Sequence, residues 1–210
     1  MKTLLIDYGA SNLHSVHKAL LRAGFDAVRS HDPEQAREAE VLVLPGQGHF
    51  RQVMEAFLRS GFEPALRDHL ERGKPFLGIC VGLQLLMNAS EEAPGVPGLG
   101  ILAGEVKRFD DPAVSVPQMG WNFFESYGNP PLLSGLPPKP YAYFANSYYA
   151  DFDDARVPGA LTSYGHTTFK SAISHGHLHA TQFHPEKSQH IGLMILNNFR
   201  KLSQALLERH

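Results

Sequence analysis

The chain carries a single cysteine among 210 residues, together with 12 histidines. Cys80 lies in Gly78-Ile79-Cys80-Val81-Gly82-Leu83-Gln84, between an apolar run and a segment of helical spacing. A nucleophile on such a sharp strand-to-helix turn stands clear of the sheet, and the flanking glycines relieve crowding there. The start of the following helix offers free N–H groups and a positive dipole end, which favour thiolate over thiol. The Val81 N–H is expected to face the oxygen of any group the sulfur attacks. A small buried hydrophobe is an equally ordinary reading of a lone cysteine, and composition does not separate the two. Thiol chemistry also needs a base, usually distant in sequence. His184-Pro185-Glu186 supplies a candidate, because in an extended segment residues two apart share a side, so Glu186 can orient the His184 imidazole. Alone, that tripeptide reads as an exposed strand end; paired with Cys80 it predicts a Cys–His–Glu arrangement. A third piece is Pro45-Gly46-Gln47-Gly48, whose backbone N–H groups can approach a developing oxyanion.

Those residues need a sheet to hold them. Apolar runs at 4–6, 41–44 and 75–79 read as short buried strands, each ending at one of the candidate turns. Helical spacing follows them. Ser11 is placed to cap a helix bearing Leu13, Val16, Ala19 and Leu20 that stops at Gly24. Further helices are predicted over 50–59 and 63–72, and after Cys80 over Leu83, Leu85, Leu86 and Met87. Continuous apolar strands alternating with helices predict an α/β fold, an open, mostly parallel twisted sheet with helices on both faces. In such a sheet ligands bind beyond the carboxyl ends of the strands, where the Cys80 and Gly46–Gly48 turns would face each other. From about residue 105 the pattern alternates instead. Stretches at 141–149, 160–164, 167–173 and 178–183 predict additional antiparallel strands in the C-terminal half, before a closing helix over 191–207. No repeat or linker divides the chain, so residues 1–210 are expected to form one domain.

Composition excludes several classes. One cysteine forbids an internal disulfide and a cysteine-rich zinc site. A formal net charge of −2 without a basic block argues against sequence-independent nucleic-acid binding. The N-terminal apolar run is too short for a secretory signal, and no window reaches the length of a membrane span, so a cytoplasmic protein without a membrane role is expected. His175, His177 and His179 would share one face of a strand, which invites a metal reading; no carboxylate or cysteine completes it nearby, and a solvated strand face is expected. No metal and no cofactor is expected.

The order and spacing of Pro-Gly-Gln-Gly, Gly-Ile-Cys-Val-Gly-Leu-Gln and His-Pro-Glu-Lys-Ser resemble the class I, triad-type glutamine amidotransferases over nearly the whole chain. The resemblance implies Cys80 as nucleophile, His184 as general base and acid, and Glu186 as the orienting carboxylate. It implies oxyanion donors from the backbone of Val81 and of Gly46, Gln47 and Gly48. It further implies that Gln84 and Glu92 hold the amino-acid end of L-glutamine, with Ser147 and Tyr148 at its carboxylate. Two more motifs, Pro117-Gln118-Met119-Gly120-Trp121-Asn122 and Tyr143-Phe144-Ala145-Asn146-Ser147-Tyr148-Tyr149, are similar to those of glutaminase subunits of imidazole glycerol phosphate synthase. Such a subunit forms a heterodimer with a (β/α)8-barrel cyclase and passes it ammonia for histidine biosynthesis. Asn12, Trp121, Asn122, Tyr143 and Lys187 would then lie at that interface. The same two motifs speak against the glutaminases of pyridoxal phosphate or anthranilate synthesis. A stand-alone thiol hydrolase on the same fold would turn over without a partner, and a catalytically dead scaffold has no need of an intact Cys80, His184 and Glu186.

Overall fold

The computed structural model describes residues 1–9, 13–152 and 157–209. Its first half is a run of strand–helix units: β1 (Lys2–Ile6), α1 (Leu13–Arg22), β2 (Asp26–Ser30), α2 (Pro33–Glu38), β3 (Val41–Leu44), α3 (Phe50–Arg59), α4 (Phe62–Glu71) and β4 (Phe76–Ile79). After α5 (Val81–Gln84) the second half is mostly strands: β5 (Ala89–Ser90), β6 (Glu105–Arg108), β7 (Gln118–Phe123), β8 (Glu125–Tyr127), β9 (Tyr141–Asn146), β10 (Tyr148–Asp151), β11 (Gly159–Tyr164), β12 (Thr167–His175) and β13 (Leu178–Thr181). Helix α6 (Gln189–Leu207) closes the chain.

Eight strands form the main sheet in the order β2-β1-β3-β4-β13-β12-β11-β8. The pairs from β2 to β13 are parallel, and β12, β11 and β8 extend the sheet antiparallel. Strands β3, β4 and β13 are buried at every residue, as a sheet covered on both faces requires. Helices α1 and α6 pack together, while α2 and α3 both pack on α4. The fold class read from the sequence is therefore borne out. Two smaller groups, β10-β6-β5 and the β7-β9 ribbon, stand beside the main sheet.

Several elements differ from the sequence expectation. Strand β2 and helix α2 were not anticipated, because the edge strand Asp26-Ala27-Val28-Arg29-Ser30 is polar and largely exposed and lacks an apolar run. The helix after Cys80 is a single turn. Its expected continuation fails because the loop at 99–102 captures the carbonyls of Leu85, Leu86 and Met87 through the N–H groups of Leu99, Gly100, Ile101 and Leu102. The stretch 141–149 is two strands in different sheets, broken at Ser147. His175, His177 and His179 do not share one strand face: β12 ends at His175, β13 begins at Leu178, and His179 is buried, so the expected solvated face is corrected. Ser11 lies outside the described residues, as does the opening of the turn before α1. Among the described residues no helix is long and apolar enough to cross a membrane, and no group of three His, Cys, Asp or Glu is placed to hold a metal ion.

Candidate active site at the carboxyl ends of the parallel strands

Strands β1, β3, β4 and β13 all deliver their following turns to the same edge of the sheet. Beyond β4 the chain reverses so tightly that Cys80 adopts φ 54 and ψ −110, a left-handed conformation rare for a residue with a side chain. Its N–H donates to the Thr181 carbonyl of β13 at 2.7 Å, which fixes the turn against the strand that leads to His184. Glycine is required on both sides of the next contact. A Cβ on Gly46 would lie 2.6 Å from the Gly82 nitrogen, and one on Gly82 would strike the Leu44 carbonyl. The Pro45-Gly46 turn after β3 is thus seated directly on Val81 and Gly82 at the start of α5. Tyr8, in the turn after β1, donates its hydroxyl to the Pro45 carbonyl at 2.7 Å. In a trans peptide the N–H opposes the C=O, so the Gly46 N–H faces away from Tyr8. Gln47 and Gly48 lie further out and are exposed.

His184 and Glu186 meet, though not through extended backbone. Pro185 opens a 3₁₀ turn over Pro185–Lys187, and the turn brings the Glu186 Oε1 to 2.8 Å from His184 Nδ1. Both side chains are buried. Burial alone would lower the His184 pKa. The facing Cys80 sulfur, in hydrogen-bond contact with the imidazole, and the Glu186 carboxylate overcome that cost and raise it to about 10. The favoured state of His184 is therefore an imidazolium, held between the Glu186 side chain and the Cys80 sulfur. Burial, and then the charges of Cys80 and Asp7, push the Tyr8 phenol upward, so it remains a donor to Pro45. The cavity bordered by Pro45, Gly46, Gln47, Ile79, His184 and Glu186 holds only about 10 Å³, room for a water at most.

The residues expected at the ligand take varied positions. Gln84 is buried, and its amide nitrogen donates to the Tyr148 carbonyl at 3.0 Å and to Gln182 Oε1 at 3.1 Å. Both its N–H bonds are committed, leaving only its carbonyl oxygen for a ligand. Glu92 accepts from the N–H of Phe50 at 2.7 Å and so caps α3 just past the Gly46–Gly48 loop. Ser147 accepts from the Phe109 N–H at 3.1 Å, and Tyr148 is half-buried beside it. Sequence reasoning missed Gln182, which is wholly buried and donates to Cys80 Sγ at 3.6 Å. Gln182 sits two residues before His184, but only the folded chain shows where its side chain points.

A second feature adjoins the site. In the β7-β9 ribbon Met119, Trp121 and Phe123 alternate on the face that carries Tyr141 and Tyr143, opposite the buried Ala142, Phe144 and Asn146. Met119 is 63% and Trp121 47% exposed, so this apolar face is uncovered. Trp121 packs edge-on against Tyr143 at 6.1 Å, and Lys187 Nζ stands 5.7 Å from the Tyr143 ring. Tyr143 ties this face to the site, accepting from the His184 N–H at 2.9 Å and donating its own N–H to Ser188 Oγ at 2.9 Å. The structure thus gathers Trp121, Tyr143 and Lys187. Asn122 is on the other side of the ribbon, donating to the Ser163 carbonyl at 3.0 Å, and Asn12 lies outside the described residues.

A sheet of this topology gathers a buried cysteine, histidine and carboxylate at its carboxyl edge, the groups of a thiol nucleophile with its base. The family model for glutamine amidotransferase class-I matches residues 4–202, and the chain belongs to that family. Among its relatives, the imidazole glycerol phosphate synthase subunit HisH of Deinococcus radiodurans is 54% identical over 95% of this chain and 93% of that protein. HisH of Thermus thermophilus is 51% identical over 98% of this chain and 100% of that protein. The resemblance to imidazole glycerol phosphate synthase subunits is therefore borne out. A solved glutamine amidotransferase shares the fold with a TM-score of 0.75 at 20% identity, covering 97% of this chain and all of that one.

Proposed function

We propose that residues 1–210 form one domain serving as the glutaminase subunit of a cytoplasmic imidazole glycerol phosphate synthase, partnered with a (β/α)8-barrel cyclase. The observation that carries this is the buried His184 side chain held between Glu186 and the Cys80 sulfur, in a chain 54% identical to a HisH subunit. The Cys80 thiolate attacks the side-chain carbonyl carbon of L-glutamine, and the electron pair moves to the oxygen. The N–H of Val81 and the Gly46–Gly48 loop receive that charge. His184 gives its proton to the departing nitrogen, and ammonia leaves a thioester on Cys80. Water, deprotonated by His184, then attacks the thioester carbon and releases glutamate with the thiolate restored. Glu186 keeps the imidazole in register throughout. Gln84 meets the amino-acid end of the substrate through its carbonyl oxygen, Glu92 helps hold that end, and the Ser147-Tyr148 backbone meets the carboxylate. No step calls on a metal or cofactor.

The uncovered face of Trp121 and Tyr143, with Lys187 at its edge, is the docking surface for the barrel. Its backbone contact with His184 supports an ammonia exit on the partner's side of the site. The test measures glutamate release by the purified chain alone, with the barrel cyclase, and with the cyclase plus its nucleotide ligand. Stimulation by cyclase and ligand, abolished by Cys80→Ser, is expected. High turnover without a partner overturns the assignment in favour of a stand-alone hydrolase.

A further inference from the structure

Gln182 has no part in the mechanism above, yet its side chain is wholly buried and aimed at the nucleophile. An amide presents a donor at one end and an acceptor at the other, and a flip would exchange them. Here the flip is decided by Gln84, whose amide nitrogen donates to Gln182 Oε1 at 3.1 Å and therefore forces Gln182 Nε2 toward Cys80 Sγ, 3.6 Å away. Gln84 is itself held by its other N–H bond to the Tyr148 carbonyl, which also accepts from Asn146 Nδ2 at 2.9 Å. The result is a relay in which Gln84 donates both to the Tyr148 carbonyl and to Gln182, and Gln182 donates in turn to the sulfur. The backbone makes the relay rigid, since the Cys80 N–H is bonded to Thr181, the residue before Gln182.

We infer that Gln182 is a positioning residue for the nucleophile, an amide donor locked by Gln84 that holds the Cys80 sulfur in its ionised form and on its line of attack. A donor to an ionised acceptor stabilises the charged form over the neutral one. Because the relay ends at the Tyr148 carbonyl, a ligand that shifts this peptide changes the donor at the sulfur. The inference rests on Cys80 being the nucleophile, and the experiment separates the two claims.

Cys80 is the lone cysteine of the chain, so iodoacetamide alkylation followed by mass spectrometry reads this sulfur alone. The rate is measured against pH for the full chain and for Gln182→Met, which keeps the length and removes the donor. The profile of Gln182→Met is expected to move to higher pH, with alkylation on the low-pH limb slowed on the order of tenfold. Gln182→Glu still accepts from Gln84 and keeps the core filled, so it serves where the apolar variant does not fold. A second carboxylate beside the sulfur is expected to move the profile the same way. Gln84→Met frees the amide to flip and should produce a smaller shift in the same direction. In the complex with the barrel cyclase, Gln182→Met should lower kcat for glutamine hydrolysis with little change in KM. Coincident alkylation profiles in folded Gln182 variants overturn the inference, and so does a change confined to KM. An unmoved profile in Gln84→Met overturns the relay. Failure of the nucleophile assignment looks different: glutamate release then survives Cys80→Ser whatever the alkylation data show.

Discussion

Two buried histidines five residues apart carry opposite charge preferences. His184, just beyond the carboxyl end of β13, is raised to about 10, while His179, inside the same strand, is pushed down to about 4. Burial works against the charged form at both. Among the described residues His179 meets the Ser174 hydroxyl at 3.0 Å and the edge of the Phe199 ring, with His177 and His175 adding like charge. His184 meets Glu186 at 2.8 Å and the Cys80 sulfur. His69, near the turn before β4, repeats the first case: burial lowers it to about 4 although it bonds the Pro75 carbonyl. Burial therefore keeps His179 and His69 neutral, whereas the neighbouring Cys80 and Glu186 side chains turn the same burial into a favoured cation at His184.

The widest separation between the two histidines should come from Glu186→Gln. It leaves the shape and removes the charge that orients His184, so glutamate release in the complex should fall roughly 10³- to 10⁴-fold. A fall below tenfold would remove Glu186 from the triad. Next in size is the titration of His184 itself. Cys80→Ala takes away the largest raising influence, so the imidazole should titrate below its value of about 10, read from ring-proton shifts by NMR. An unmoved titration would assign the rise to Glu186 alone.

The neutral histidines give a stability effect of the opposite sign. Their folded pKa of about 4 lies below the ordinary 6.5, so between these values the unfolded chain binds more protons. Stability is full above pH 6.5 and falls as pH drops toward 4, by on the order of 3 kcal/mol for each histidine. His179→Gln should flatten the dependence of Tm on pH between 7 and 4.5, whereas a parallel curve would show that His179 does not carry it. The smallest effect concerns Tyr8, where burial and anions raise the pKa together instead of opposing each other. Tyr8→Phe removes the donor to the Pro45 carbonyl, and a loss of about 1 kcal/mol should lower Tm by about 2–4 °C.

Much of this was legible beforehand. The strands 4–6, 41–44 and 75–79 announced themselves because a strand buried on both faces admits only apolar residues. The turns at Gly46 and Cys80 were legible because close backbone approach leaves glycine as the residue that fits. The pairing of His184 with Glu186 was anticipated for a different geometric reason, extended backbone, where the fold uses a 3₁₀ turn. Strand β2 escaped notice because an edge strand facing solvent needs no apolar pattern. The face of Met119, Trp121 and Tyr141 was only partly foreseen, since exposure depends on which neighbours remain uncovered.

The sequence by itself determined the parallel sheet, the three turns at its carboxyl edge and which cysteine, histidine and carboxylate meet there, because each rests on local periodicity or on a residue type that nothing else replaces. Only the tertiary structure decided which histidine is charged, which way the Gln84 and Gln182 amides point, and that His179 is core instead of surface. Those outcomes depend on burial and on partners up to 102 residues apart, as between Cys80 and Gln182. Such distances between residues carry no periodicity, so only the packed chain fixes them.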